Sequence, residues 1–177
     1  MIKDENERSY FFQNVCTSEW NEEQDAGRSL EEATSFLVNQ FPQHKEHIEV
    51  FYGRWEEMLK GPIQETVEIL DQIRQSSKYR LYALTNWSHE TFGIALKRFD
   101  FLQWFEGIVV SGEEKTRKPF PEIYQILLSR YNVEPGTALF IDDSLRNING
   151  AKTLGMNTIH FKEPSILKEE LQHFGVI

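Results

Sequence analysis

Two adjacent carboxylates, Asp142 and Asp143, directly follow the apolar run at 138–141. Side by side, such charges repel unless a cation or solvent intervenes, and a hard divalent metal meets that need. Mg²⁺ takes one or two protein carboxylates and completes its octahedron with water and substrate phosphate oxygens. Helix capping is the competing explanation, because Asp143 and Ser144 precede the helical pattern Leu145, Ile148, Ala151 and Leu154. Thr85-Asn86 end another apolar run, and Ser88 stands where it would cap a following helix whose first amides can receive an anion. A plain polar turn is the alternative there. Lys118, followed by Pro119 and Pro121, lies in a stretch that cannot begin as ordinary helix, so its ammonium is offered from a stiffened loop, to a charged site or simply to water.

All of these residues need strands to hold them. The runs 80–84, 107–110, 138–141 and 158–161 are short, apolar and separated by helical stretches. That alternation predicts a parallel sheet covered by helices on both faces, with any active site at the carboxyl ends of the strands. Residues 1 to about 60 show helical spacing instead, through Phe12, Val15 and Cys16 and then Leu30, Ala33, Phe36 and Leu37. Ser29 with Glu32 reads as a capping box, a third helix is expected over 44–58, and Gly61-Pro62 interrupts the pattern before a helix from Ile63 to Ile73. The expected fold class is α/β: a helical cap over 1–62 and a Rossmann-like core over 63–177.

Taken in order, Leu84-Thr85-Asn86, then Arg117-Lys118-Pro119-Phe120-Pro121-Glu122-Ile123-Tyr124, then Phe140-Ile141-Asp142-Asp143-Ser144 with Asn147, Gly150-Ala151 and Leu154-Gly155 resemble the second, third and fourth motifs of the haloacid dehalogenase-like superfamily. The stretch from Asn14 to Asn21 is similar to the small helical cap of its 2-haloacid dehalogenase-like branch. The resemblance implies that Thr85 and Asn86 orient the transferring group and bind substrate. It implies that Lys118 offsets charge on nucleophile and phosphoryl oxygens, and that Asp142 holds Mg²⁺ directly, with Asp143 in direct or water-mediated contact. The activity implied is Mg²⁺-dependent hydrolysis of a small phosphorylated metabolite through an aspartyl-phosphate. A 2-haloacid dehalogenase is the alternative chemistry, disfavoured by the acidic pair; a non-catalytic binding protein is the alternative class.

That last alternative arises because the superfamily's first motif, an apolar strand ending in a nucleophilic Asp, has no match. Asp4, Asp25, Asp71 and Asp100 each lack a preceding apolar strand and read as surface charges. The absent strand belongs between the strands matching 80–85 and 138–142, so a cleft in the sheet, or a substitute segment, is expected there. A start downstream of that strand is favoured over a natural loss of the nucleophile, and the 177 residues as they stand are expected to be inactive. With 28 acidic against 19 basic side chains, the charge of -9 disfavours nucleic acid and anionic membrane as partners. The single Cys16 cannot form an internal disulfide and reads as a buried thiol, in keeping with a cytoplasmic protein. Trp20, Asn21, Arg28 and Trp55 either pack the cap or line a pocket, with core packing favoured for Trp55.

Overall fold

The computed structural model describes residues 2–177. Its first part is helical: α1 (Glu5–Asn14), α2 (Ser18–Asp25), α3 (Leu30–Gln40), α4 (Lys45–Gly53) and α5 (Trp55–Met58). Side chains supply the missing acceptors at three of the starts. Asp4 and Thr17 cap α1 and α2, and Ser29 and Glu32 form the reciprocal capping box that opens α3. The stretch expected as one helix over 44–58 is two, because the chain leaves helical geometry at Arg54 (φ -127°) just after Gly53, a weak helix former. Phe11, Val15, Cys16, Trp20, Ala33, Leu37 and Ile48 close a core of their own within this lobe. Burial there pushes the Cys16 thiol up to about 12, which keeps it protonated and unreactive.

After Gly61-Pro62 the chain alternates: α6 (Gln64–Ser76), β1 (Tyr82–Thr85), α7 (His89–Arg98), β2 (Gly107–Val110), α8 (Ser111–Glu114), α9 (Pro121–Arg130), β3 (Leu139–Asp142), α10 (Leu145–Thr153), β4 (Asn157–His160) and α11 (Pro164–His173). This is the expected α/β class, helix-rich and with small parallel sheets. No helix of the described residues is long and apolar enough to cross a membrane.

The strands form two separate parallel pairs, β1 with β2 and β3 with β4, registered Leu84↔Val109 and Ile141↔Ile159. Both pairs rest on the same two apolar clusters. Tyr82, Leu84 and Phe140 pack on the cluster of Val109, Ile123, Tyr124 and Ala151, while Leu81 and Leu139 pack on that of Ile69, Ile159, Leu167 and Leu171. β1 and β3 therefore share their faces, yet no ladder joins them and no described segment pairs as a strand between them. The break shows in burial. Strands of a parallel sheet are ordinarily covered on both faces, but every residue of β1 is only half-buried and Ile141 in β3 is 37% exposed. Of the two expected outcomes, a break or a substitute segment, the structure has the break.

Candidate functional site

Lys118 crosses the break at its carboxyl end. Its Nζ donates 2.7 Å to the carbonyl of Leu84, the penultimate residue of β1, and 2.7 Å to Oδ2 of Asp142, the last residue of β3. Since the Leu81 carbonyl accepts from Glu106 on the β2 side, strand alternation turns the Leu84 carbonyl the other way, toward the break. Lys118 is 7% exposed and Asp142 9%, so each compensates a charge that burial alone would penalise.

Two devices hold the loop that carries this lysine. The Asn86 side chain clasps it at both ends of one residue, Oδ1 accepting from the Lys118 N–H at 2.8 Å and Nδ2 donating to the Lys118 carbonyl at 3.0 Å. Gly150, on α10, lets the helix lie against the same loop. A Cβ added at Gly150 would stand 2.7 Å from the Pro119 carbonyl oxygen and 3.0 Å from the Tyr124 hydroxyl.

Asp142 is fixed as tightly. Its Oδ1 accepts from the Ser144 N–H and from Asn147 Nδ2, both at 2.9 Å. The Ser144 amide thus turns back to Asp142, and α10 has no side-chain cap, which removes the capping explanation for the pair. A carboxylate offers about four lone-pair sites; three are used here, leaving room for one more partner. Asn147 Oδ1 is buried beside it without a hydrogen bond. Asp143 is exposed, and its carbonyl lies 2.9 Å from His160 Nε2. Thr85 ends β1 half-buried, and its hydroxyl has no hydrogen-bond partner among the described residues. Lys118, Thr85, Asn86 and Asp142 thus stand together at the carboxyl ends of β1 and β3, with Asp143 on the open side.

In donor type these residues suit a hard dication, because two neighbouring carboxylates and an orphaned amide oxygen are all oxygen ligands. Among the described residues no group of three or more His, Cys, Asp or Glu side chains converges on one point. Asp142 and Asp143 would therefore supply part of a coordination sphere, as Mg²⁺ requires.

The helical lobe closes over this end of the core. Arg117, next to Lys118, donates 2.9 Å to the Glu22 carbonyl and pairs with the Glu22 carboxylate at 3.2 Å, while Arg146 pairs with Glu22 at 2.7 Å. Between lobe and core lies a cavity of about 140 Å³ whose wall includes Asn21, Asp25 and Trp55 from the lobe and Asn86 and Trp87 from the core. Trp55 meets Trp87 edge-on at 5.7 Å, and both line this cavity, so Trp55 is not simply core.

Asp25 is a correction to the sequence reading. Far from being a surface charge, it is buried enough that its carboxyl is pushed up to about 6, chiefly by desolvation and further by Glu22. Arg117, Lys118 and the Ser88 N–H pull it back down. Ser111 was also overlooked; fully buried, its Oγ accepts from the Trp87 N–H at 2.9 Å and fixes the turn after β1. A serine at the end of an apolar run was the only signal it gave.

In this parallel α/β core a lysine and an acidic pair thus stand together at the strand ends. The model of the haloacid dehalogenase-like hydrolases matches residues 9–161, and the chain belongs to that family. It is 33% identical over 96 residues to a glyceraldehyde 3-phosphate phosphatase of Pyrococcus abyssi, covering 54% of this chain and 40% of that protein. It is 28% identical over 122 residues to a phosphorylated carbohydrates phosphatase of Thermotoga maritima, covering 66% of this chain and 56% of that one. The chain thus spans about half the length of these relatives or less. A family enzyme from Bacteroides thetaiotaomicron, crystallised as an Asp-to-Ala mutant with magnesium and inorganic phosphate, superposes with a TM-score of 0.68 at 22% identity, over 89% of this chain and 84% of that one. That likeness concerns the fold.

Proposed function

We propose that this chain forms the cap and most of the core of a Mg²⁺-dependent phosphatase acting on small phosphate esters through an aspartyl-phosphate, with 1–62 as cap and 63–177 as core. One observation carries the reading: the buried Lys118 ammonium spans Leu84 and Asp142 where the sheet is broken, with no further carboxylate hydrogen-bonded to it among the described residues. A cation held there is placed to stabilise a third, reacting carboxylate and the phosphoryl oxygens it attacks. That carboxylate would enter on a strand lying between β1 and β3. None of the other aspartates is available, since Asp4 caps α1, Asp71 pairs with Arg74, Asp100 begins the 3-10 turn after α7 and Asp25 faces the cavity.

Within this scheme Lys118 holds phosphoryl and carboxylate together, the free Thr85 hydroxyl donates to a phosphoryl oxygen, and Asn86 keeps Lys118 in place through its backbone. Asp142 and Asp143 would hold Mg²⁺, which when bound neutralises phosphoryl charge. The lobe excludes water and receives the ester's organic group in the cavity. The small phosphorylated substrates of the relatives, and the magnesium in the structural neighbour, support the same reading.

The test is steady-state hydrolysis of an aryl phosphate. The 177-residue chain is expected to show no turnover, and a chain extended upstream to carry a strand ending in Asp to show Mg²⁺-dependent turnover. In the extended chain, Asp142→Asn should raise the Mg²⁺ requirement and Lys118→Ala should lower kcat at saturating Mg²⁺. Full activity in EDTA, or turnover by the pure 177-residue chain, overturns the assignment.

A further inference from the structure

We propose that Asn21 and Asp25 are specificity-determining residues that select a phosphate ester whose organic part carries free hydroxyl groups. The inference rests on the phosphatase reading above and deepens it. It begins with Arg28, whose guanidinium can only donate. Arg28 Nε donates 2.8 Å to Gln24 Oε1, which forces the Gln24 amide to present its NH₂ on the other side. That NH₂ donates 2.7 Å to the Tyr52 hydroxyl, and Tyr52 spends its single proton on Asn21 Oδ1, also at 2.7 Å. The polarity of the whole chain is set from one end. What it leaves over is the Asn21 NH₂, a donor with no hydrogen-bond partner among the described residues, in the lining of the cavity.

Asp25 lies four residues on in α2, hence on the same helical face, and lines the same cavity with a carboxylate, an acceptor. The cavity thus offers one fixed donor and one charged acceptor a helical turn apart, in a lining that also includes Trp55 and Trp87. Hydroxyl groups both donate and accept, so a short hydroxylated chain satisfies both side chains at once. An alkyl group would desolvate Asn21 and Asp25 without returning their hydrogen bonds, and a second anionic group would meet the Asp25 charge. The cavity adjoins the phosphate end of the site through Asn86, which lines it while clasping Lys118. Raised toward neutrality as it is, the Asp25 carboxyl is still largely ionised at pH 7.5 and able to accept.

A chain expected to bind without turnover permits a direct binding test. Calorimetry with Mg²⁺ present would compare inorganic phosphate, glycerol phosphate and propyl phosphate, the last two matched in carbon count. Glycerol phosphate should bind about tenfold or more tightly than propyl phosphate, the scale of one charge-assisted hydrogen bond. Asn21→Leu should erase that preference while leaving inorganic phosphate binding unchanged. Asp25→Ala should erase it too, with inorganic phosphate bound no more weakly since a negative charge near Lys118 is lost, and Asp25→Asn, which keeps only a neutral acceptor, should reduce it if Asp25→Ala does not fold. Equal affinity of the native chain for the two esters overturns the proposal and leaves the phosphatase reading intact. Failure to bind inorganic phosphate overturns that reading, and the proposal with it.

Discussion

Asp25→Asn should make the protein more stable, in a manner that depends on pH. The carboxyl rises from its ordinary 3.8 to about 6 on folding, mainly because burial disfavours its charged form. At about 1.36 kcal/mol per tenfold change in the proton equilibrium, that rise corresponds to about 3 kcal/mol of destabilisation once the group is ionised in both states. The cavity admits water on one side, so about 1–3 kcal/mol is the expected range. The sign follows from linkage: a folded-state value above the unfolded one means the folded protein holds the proton more tightly. The penalty is absent below about pH 4, grows between 4 and 6 and is complete above 6. Asparagine keeps the shape and an oxygen for the Ser88 N–H but never ionises. Urea denaturation of both proteins at pH 4, 6 and 8 should therefore give near-equal stability at the lowest pH and the full gain for the variant at the highest. A gain independent of pH, or a loss at pH 8, would refute the reasoning, because either would mean that Asp25 does not carry a buried charge.

Two further expectations concern the parts that hold the site. Gly150→Ala should destabilise by about 1–3 kcal/mol, since its Cβ would meet the Pro119 carbonyl at 2.7 Å and a packed backbone yields poorly; thermal unfolding measures it, and a neutral result would mean the Lys118 loop is free to shift. Glu22→Ala removes the shared partner of Arg117 and Arg146 and should cost about 1–2 kcal/mol at low salt, less as salt rises, because Arg117 is largely buried while Arg146 is not; denaturation across a salt series checks it.

Much of the core was legible because its signals are local. Apolar runs of four or five residues ending in Thr85 or Asp142 mark strands whatever surrounds them, and Ser29 with Glu32 starts a helix by hydrogen bonds made within one turn. The order of Thr85, Lys118 and the acidic pair carried the family. The break between β1 and β3 was one of two outcomes expected there, a substitute segment being the other.

Tertiary structure decided the rest, and in each case through a polar group whose partner is distant in sequence. Asn21, Gln24, Asp25 and Arg28 form one polar face of α2 and its exit, which by helical pattern belongs in water. Tyr52, Asn86 and Ser88 cover that face from other elements, so Gln24 is 1% exposed and Asp25 holds its proton to about 6. Asn86 shows the same dependence: its position after Thr85 points to substrate, while its side chain is given to the backbone of Lys118, 32 residues away. Helical periodicity assigns each residue an inner or an outer face, but it does not state what will be packed against the outer one. Only the lobe folding onto the core, with Glu22 between Arg117 and Arg146, turned an exposed-looking face of α2 into the wall of a cavity.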